Sequence, residues 1–392
     1  MTAVREPALR PQGYRLKEDS NRRSVIGLDL VRFGAGIGVA MYHLAYWWWL
    51  PAVSGEQGRA VREGLAPLRE PFRWGWVGIE IFFTLSGFVI AYSAHGKTAR
   101  GFIKGRMLRL YPTAWICATC TLLIAKLTDP EALSQYAGTV TLWIYGPWIS
   151  GVYWTLSVEI VFYALVAYAL WANIRLTSLG MFLGFVSSLY WLLRVIDFAT
   201  GQHAKDLFAA VESTPTGRLS LLASGTYFGS GILLWSLAFQ RSSRFHSMSL
   251  MVFLAASLVA VIGAGHYKIA VEGGRDWQVV EPALLWLIGT VAIIGSIRWN
   301  EKLWQLCGPY ARPIRFAGLA TYPLYLVHSE VGQVIMVRTG SLGPFAALSV
   351  ALCAVFLLTV TVVLLEPYPR RWIGRLLSVR VRKPALAPAE LP

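Results

Sequence analysis

Charge is scarce in this sequence: only 15% of the 392 residues are charged and six are histidine. Soluble domains carry roughly a quarter charged residues. What charge there is leans one way, with 36 Lys and Arg against 21 Asp and Glu. Four cysteines are too few and too dispersed for a disulfide framework. Cys117 and Cys120 form a C-x-x-C, but inside the apolar run WICATCTLLI, where thiols are expected to be unreactive. That excludes a redox pair, and no metal-ligand set is expected. Polar stretches longer than about 25 residues are also missing, so no sizeable soluble domain is expected. The first 24 residues lack the short apolar core of a cleavable signal, leaving the first apolar segment to direct insertion.

Apolar residues make up 55% of the chain, which excludes a disordered or fibrous protein. They fall in runs of 18 to 25 residues, the length that crosses a ~30 Å hydrocarbon layer at ~1.5 Å per residue. The fold class expected is all-α, a polytopic transmembrane helical bundle of about ten spans. These lie near 26–50, 74–94, 107–126, 154–173, 177–197, 219–239, 249–267, 279–297, 313–336 and 344–366. Residues 136–150 are apolar but short, with an internal Gly-Pro, and read as a re-entrant or interfacial segment. Seventeen Trp and seventeen Tyr suit interfacial belts.

Lys and Arg cluster on alternate loops. With a cytoplasmic N-terminus, 24 fall on the cytoplasmic side, 11 opposite, and Arg32 lies within the first helix. The opposite loops also hold acids, among them Glu56, Asp129 and Glu272. The expectation is a basic cytoplasmic tail (1–24), a membrane domain (25–371) and a cytoplasmic C-terminal tail (372–392). A net +15 is then explained by topology; the partner is a lipid bilayer, not nucleic acid.

A charge at bilayer depth costs ~2.5–3.5 kcal/mol or more, so each one is a site candidate. Arg32 and His43 are eleven positions apart, about 20° from eclipsed and ~16 Å apart along a helix. Asp29 joins the same stripe and can pair with Arg32 at i, i+3. Gly36 and Ala40 lie between them, suggesting a groove. Glu80 is a lone acid in the second apolar run, with Ser86 deeper; a serine there also suits plain helix packing. Arg106 and Arg109 sit one turn apart, placed either to chelate phosphate or to anchor topology. Glu159 is the only acid in its run, flanked four residues away by Thr155 and Tyr163 as hydrogen-bonding partners. Tyr322, Tyr325 and His328 form a polar ridge, with His328 either a network member or a satisfied structural histidine. Glu366 precedes Pro367 and is expected to pair with Arg370 or Arg371.

In order along the chain, these segments resemble motifs of the acyltransferase-3 family of integral membrane proteins. They are LD-x-x-R then His (Leu28, Asp29, Arg32, His43), G-x-E-x-FF-x-LSGF (Gly78 to Phe88), R-x-x-R-L-x-P (Arg106, Arg109, Leu110, Pro112), W-x-L-x-x-E-x-x-FY (Trp154, Leu156, Glu159, Phe162, Tyr163), Y-x-LYL-x-H (Tyr322, Leu324, Tyr325, Leu326, His328) and the terminal E-x-P. The resemblance implies a ten-helix domain moving an acyl group, usually acetyl from cytoplasmic acetyl-CoA, onto a hydroxyl of a glycan or glycolipid. It implies His43 as the essential histidine, Arg32 as its basic partner and Arg106 and Arg109 on the donor side. No permanently bound cofactor is implied; acyl-CoA is a co-substrate.

That chemistry fits the residues. Moving acetyl from thioester to hydroxyl needs a base that titrates near neutrality, and CoA's phosphates need a cationic site. His43 serves either as general base or as acyl acceptor, and Glu159 either orients the imidazole or binds sugar. The other class weighed is a transporter or flippase of a lipid-linked glycan. Transporters often show paired halves with broken helices, and no internal repeat is visible here. Acceptor identity and oligomeric state, homo-oligomer included, are left open.

Overall fold

Without water, every backbone polar group must be satisfied within its own segment, so apolar runs of this length become helices. The computed structural model describes residues 25–376 apart from 128, 202–204 and 242, and the described residues form helices and no strands. Ten of these helices have 15 or more residues: α1 (Ile26–Met41), α2 (Val77–Ala94), α3 (Ala99–Thr121), α4 (Trp154–Trp171), α5 (Leu176–Thr200), α6 (Gly225–Phe239), α7 (Arg244–Glu272), α8 (Val280–Arg298), α9 (Ala311–Arg338) and α10 (Pro344–Leu365). The expected tails, 1–24 and all but the start of 372–392, lie outside the described residues.

Among the described residues, seven segments are long and apolar enough to cross a membrane: Ala66–Ala94, Ala99–Lys126, Gly151–Trp171, Leu176–Thr200, Arg244–Glu272, Asp276–Arg298 and Pro344–Leu376. The chain is a polytopic helical membrane protein. Of the three long helices outside that set, α6 is interior, while α1 and α9 are covered by neighbours on part of their surface and expose residues such as Leu30, Ile37 and Val337. Every residue of α6 from Gly225 to Ser236 is buried, and α9 packs against both α1 and α10. A helix face shielded from lipid by its neighbours need not be apolar, which is why α9 tolerates His328 and Glu330.

Small residues set a close crossing of α2 and α6. A Cβ on Gly87 of α2 would lie 2.3 Å from the Phe228 carbonyl oxygen, and one on Gly231 of α6 would lie 2.1 Å from that of Thr84. The two backbones touch there, as small residues permit between membrane helices. Beside this crossing Phe83, Phe162, Phe228 and Trp286 form one core, with Phe162 and Phe228 stacked at 4.3 Å. A second core joins α1, α3, α4, α9 and α10 through Val39, Cys117, Leu156, Leu326 and Val355.

The structure departs from the sequence reading at five places, one of them the third helix, which starts at Ala99, eight residues before the expected 107. The first helix is not continuous over 26–50: it ends at Met41 and passes into a π turn, Tyr42–Tyr46, then a 3-10 turn, Trp47–Trp49. The wider turn frees the Leu44 carbonyl, which accepts a hydrogen bond from Trp49 Nε1 at 2.6 Å. The groove expected along Gly36 and Ala40 is filled by α9; a Cβ on Gly36 would meet the Thr321 methyl at 2.9 Å, and Ala40 is buried. The sixth helix starts at Gly225 rather than near 219, because Pro215–Leu219 is a separate short helix. The seventh is longer than expected at 29 residues, its polar ends continuing past the apolar run.

The segment 136–150 forms a short helix, Ala132–Val140, and turns laid on α3, where Trp115 Nε1 donates to the Val140 carbonyl at 2.8 Å. After α10, Glu366 pairs with Arg370 at 3.5 Å, at the start of a short helix, Pro367–Leu376.

Candidate functional site

Four helices and α9 converge on one cavity of about 160 Å³. Arg32 enters from α1, Ser86 from α2, Arg106 and Arg109 from α3, Glu159 and Tyr163 from α4, and Tyr322 and Tyr325 from α9. Phe82, Phe83, Val89, Ile90 and Leu156 supply apolar wall between them. The one-turn spacing of Arg106 and Arg109 puts both guanidiniums on the cavity face of α3, as the sequence spacing anticipates.

The arginines are held by rings and not by acids. Arg106 lies over Phe102 at 5.7 Å and Tyr163 at 5.9 Å, and Arg109 over Tyr322 at 5.8 Å. Among the described residues neither forms an ion pair, and Arg106 Nε is buried with no hydrogen-bond partner. Arg32 has a loose partner in Asp29 at 4.0 Å. The Asp29 carboxylate in turn occupies the space a side chain at Gly318 of α9 would need. Three guanidiniums in a low-dielectric wall outnumber the two carboxylates near them, Asp29 beside Arg32 and Glu159 in the lining, and make a site that favours an anion such as phosphate.

Glu159 is engaged on both oxygens: Oε1 accepts from the Ser86 hydroxyl and Oε2 from Tyr163 at 2.7 Å. It does not touch His43. Thr155, the other flanking residue, has its hydroxyl within hydrogen-bonding distance of Tyr325 Oη at 3.0 Å and of the Val152 carbonyl oxygen at 3.1 Å. Ser86 therefore faces the cavity and a carboxylate, beyond any packing role. Trp154 stands outside the cavity lining, edge-on to Phe83 at 6.2 Å and under the Arg218 guanidinium at 4.9 Å. Glu80 is half-buried in α2 and does not line the cavity.

His43 is not part of the cavity wall either. It sits in the π turn beyond the α-helical part of α1 and faces His328 of α9, with Nδ1 3.1 Å from His328 Nε2 and the rings edge-on at 4.9 Å. Tyr325 connects the two regions, lining the cavity on one side and lying 5.7 Å from the His328 ring on the other. Arg32 lines the cavity and His43 does not, and α9 lies against the segment between them, with Thr321 at Gly36 and His328 at His43.

Sequence reasoning missed two features. The His43 to His328 contact joins residues 285 positions apart, and nothing local signals it. Next to it, Lys268 of α7 donates to Tyr42 Oη at 2.8 Å and pairs with Glu272 at 3.2 Å, while Tyr46 donates to Glu272 at 2.9 Å. Only the i, i+4 spacing of Lys268 and Glu272 was visible in the sequence. Among the described residues no group of three His, Cys, Asp or Glu is arranged to hold a metal ion.

No curated protein and no solved structure matches the chain. The acyltransferase domain family, acyltransferase 3, matches over residues 25–366, a span that takes in all ten long helices, the arginine cavity and both histidines. The chain therefore belongs to the acyltransferase 3 family and is, in general terms, a membrane O-acyltransferase.

Proposed function

We propose that the protein transfers an acyl group, acetyl by preference, from acyl-CoA to a hydroxyl of a glycan or glycolipid. The observation that carries this reading is the convergence of Arg32, Arg106 and Arg109 on an apolar-walled cavity whose far side, at Tyr325, abuts the histidine pair. The arginines bind the phosphates of the donor, and the thin pantetheine arm runs toward Tyr325. His43 takes the proton of the acceptor hydroxyl. The oxygen then attacks the thioester carbonyl carbon, the C–S bond breaks with its electron pair on sulfur, and His43 returns the proton to the leaving thiolate. Glu159, held by Ser86 and Tyr163, keeps the polar side of the cavity ordered.

On this reading ten helices span a bacterial inner membrane, both termini face the cytoplasm with the arginines, and the acceptor arrives from the side of His43. The 24 to 11 asymmetry of basic residues supports that orientation. The test is release of CoA thiol from acetyl-CoA by purified protein in lipid nanodiscs with no ion gradient. Turnover that needs no gradient supports acyl transfer; absence of thiol release in the presence of extracted membrane glycolipid would return the transporter reading.

A further inference from the structure

His328 is fully buried, at 0% exposure, and both of its ring nitrogens are engaged. Nδ1 lies 2.8 Å from the Tyr325 carbonyl oxygen and 3.2 Å from that of Leu324. A carbonyl oxygen only accepts, so Nδ1 of His328 carries the hydrogen and the neutral ring has its lone pair on Nε2. That lone pair points at His43 Nδ1, 3.1 Å away. His43 Nδ1 is also 3.0 Å from the Val39 carbonyl oxygen, one turn back on its own helix. The same rule puts a hydrogen there, shared between the Val39 carbonyl and His328 Nε2. The reverse assignment would aim two nitrogen lone pairs at three carbonyl oxygens in a buried setting. Hydrogen positions here follow from the partners.

The consequence is a directed chain: two backbone carbonyls fix His328, His328 and Val39 fix His43, and the remaining lone pair is on His43 Nε2. We propose that His328 is a positioning residue that fixes His43 in the Nδ1–H form, leaving Nε2 as the nitrogen that accepts the hydroxyl proton. This rests on the acyl-transfer reading above for the reaction, but not for the geometry. As Nε2 gains a proton, the bond from His43 Nδ1–H to His328 becomes a hydrogen bond from a cation, stronger in the transition state than in the ground state. A neutral imidazole takes the place a carboxylate holds in the serine hydrolase triad, where a wrong tautomer costs ~10⁴ in kcat. A neutral partner contributes less, and the Val39 carbonyl shares the hydrogen.

The orientation of the ring is secured on its other sides. Trp47 lies edge-on at 5.7 Å and Tyr42 at 5.1 Å, and Trp48 Nε1 donates to Ser329 Oγ at 3.1 Å, tying the turn to α9. The π turn serves this placement: it sets His43 against α9 while the following tryptophans close over it.

The test uses the full chain in nanodiscs with acetyl-CoA as probe and thiol release as readout. His328→Phe should lower kcat about 10- to 100-fold with KM for acetyl-CoA unchanged, the range expected for a group acting through a general base. His328→Gln, whose side-chain oxygen still accepts from His43 Nδ1–H, should recover most of that loss. His43→Gln with His328→Phe should be no slower than His43→Gln alone, because a positioning residue has nothing left to position. Equal loss in the Phe and Gln variants, a raised KM, or additive loss in the double variant would overturn the proposal. A second measurement needs neither turnover nor a variant: diethyl pyrocarbonate, which acylates an unprotonated ring nitrogen, should modify His43 ahead of His328 in the wild-type protein. Modification of His328 first would contradict the assigned lone pairs, whereas untreated protein that does not cleave acetyl-CoA, in a sample where the reagent still modifies His43 first, would count against the acyl-transfer reading alone.

Discussion

Replacing Arg106 and Arg109 separates a donor clamp from a topological anchor. Arg106 Nε is buried without a partner, and among the described residues neither guanidinium has a carboxylate counter-ion, so both bear unmet hydrogen-bonding capacity toward the cavity. A hydrogen bond to a charged group contributes ~1.5–3 kcal/mol. At ~1.4 kcal/mol per tenfold in affinity, loss of one bidentate contact should raise the Kd for acetyl-CoA about 10- to 100-fold, and the double Ala variant should exceed either single one. Arg106→Lys should recover charge but not the paired geometry, and fall between wild type and Arg106→Ala. Calorimetry on purified protein reads these values, with 3′-dephospho-CoA as a control for the phosphate engaged. Unchanged affinity in the double variant, with the helical content intact, would refute the clamp and leave these arginines as membrane anchors.

The other expectations concern the scaffold. Gly231→Val places a Cβ 2.1 Å from the Thr84 carbonyl oxygen, and since the atoms it meets on α2 (Thr84 O, Phe88 N and Gly87 Cα) are all backbone and cannot swing aside, α2 and α6 must separate. Overpacking costs ~1–3 kcal/mol and sometimes more, so the melting temperature in detergent should fall clearly below wild type; an unchanged melting point would mean that the crossing is looser than described. Both termini should be cytoplasmic: a fluorescent protein fused to the C-terminus should be bright and a phosphatase fused there inactive, and the opposite pattern would reverse the orientation.

The helices were legible because their determinant is local. A run of apolar residues long enough for the bilayer has no alternative to helix, and α2, α5, α8 and α10 lie close to where hydropathy puts them. The cavity was partly legible for the same reason: Arg106, Arg109, Glu159 and Tyr163 are exceptional in apolar surroundings and spaced by one turn. Three things were not. The end of α1 is a π turn whose Leu44, Ala45 and Trp49 pack with Met336 of α9 and Leu65 of the short helices at 51–72, and no propensity rule encodes that. The fate of Gly36 and Ala40 depended on whether a neighbour filled the space, and Thr321 does. The partners of Glu159 and His43 lie on other helices, so the sequence named the reactive groups without saying that Ser86 faces one and His328 the other.

The central claim is that His43 is the proton-accepting group of an acyl transfer. Its most direct test is the ester-linked acyl content of surface glycans and glycolipids from cells lacking the gene, restored with wild type, or restored with His43→Gln. Gln keeps a hydrogen bond but takes no proton near neutrality. The account predicts that wild type restores the acyl esters, while His43→Gln, present in the membrane at equal amount and still binding acetyl-CoA, does not. Near-normal acyl content with His43→Gln would contradict it and make His43 a structural residue of the π turn.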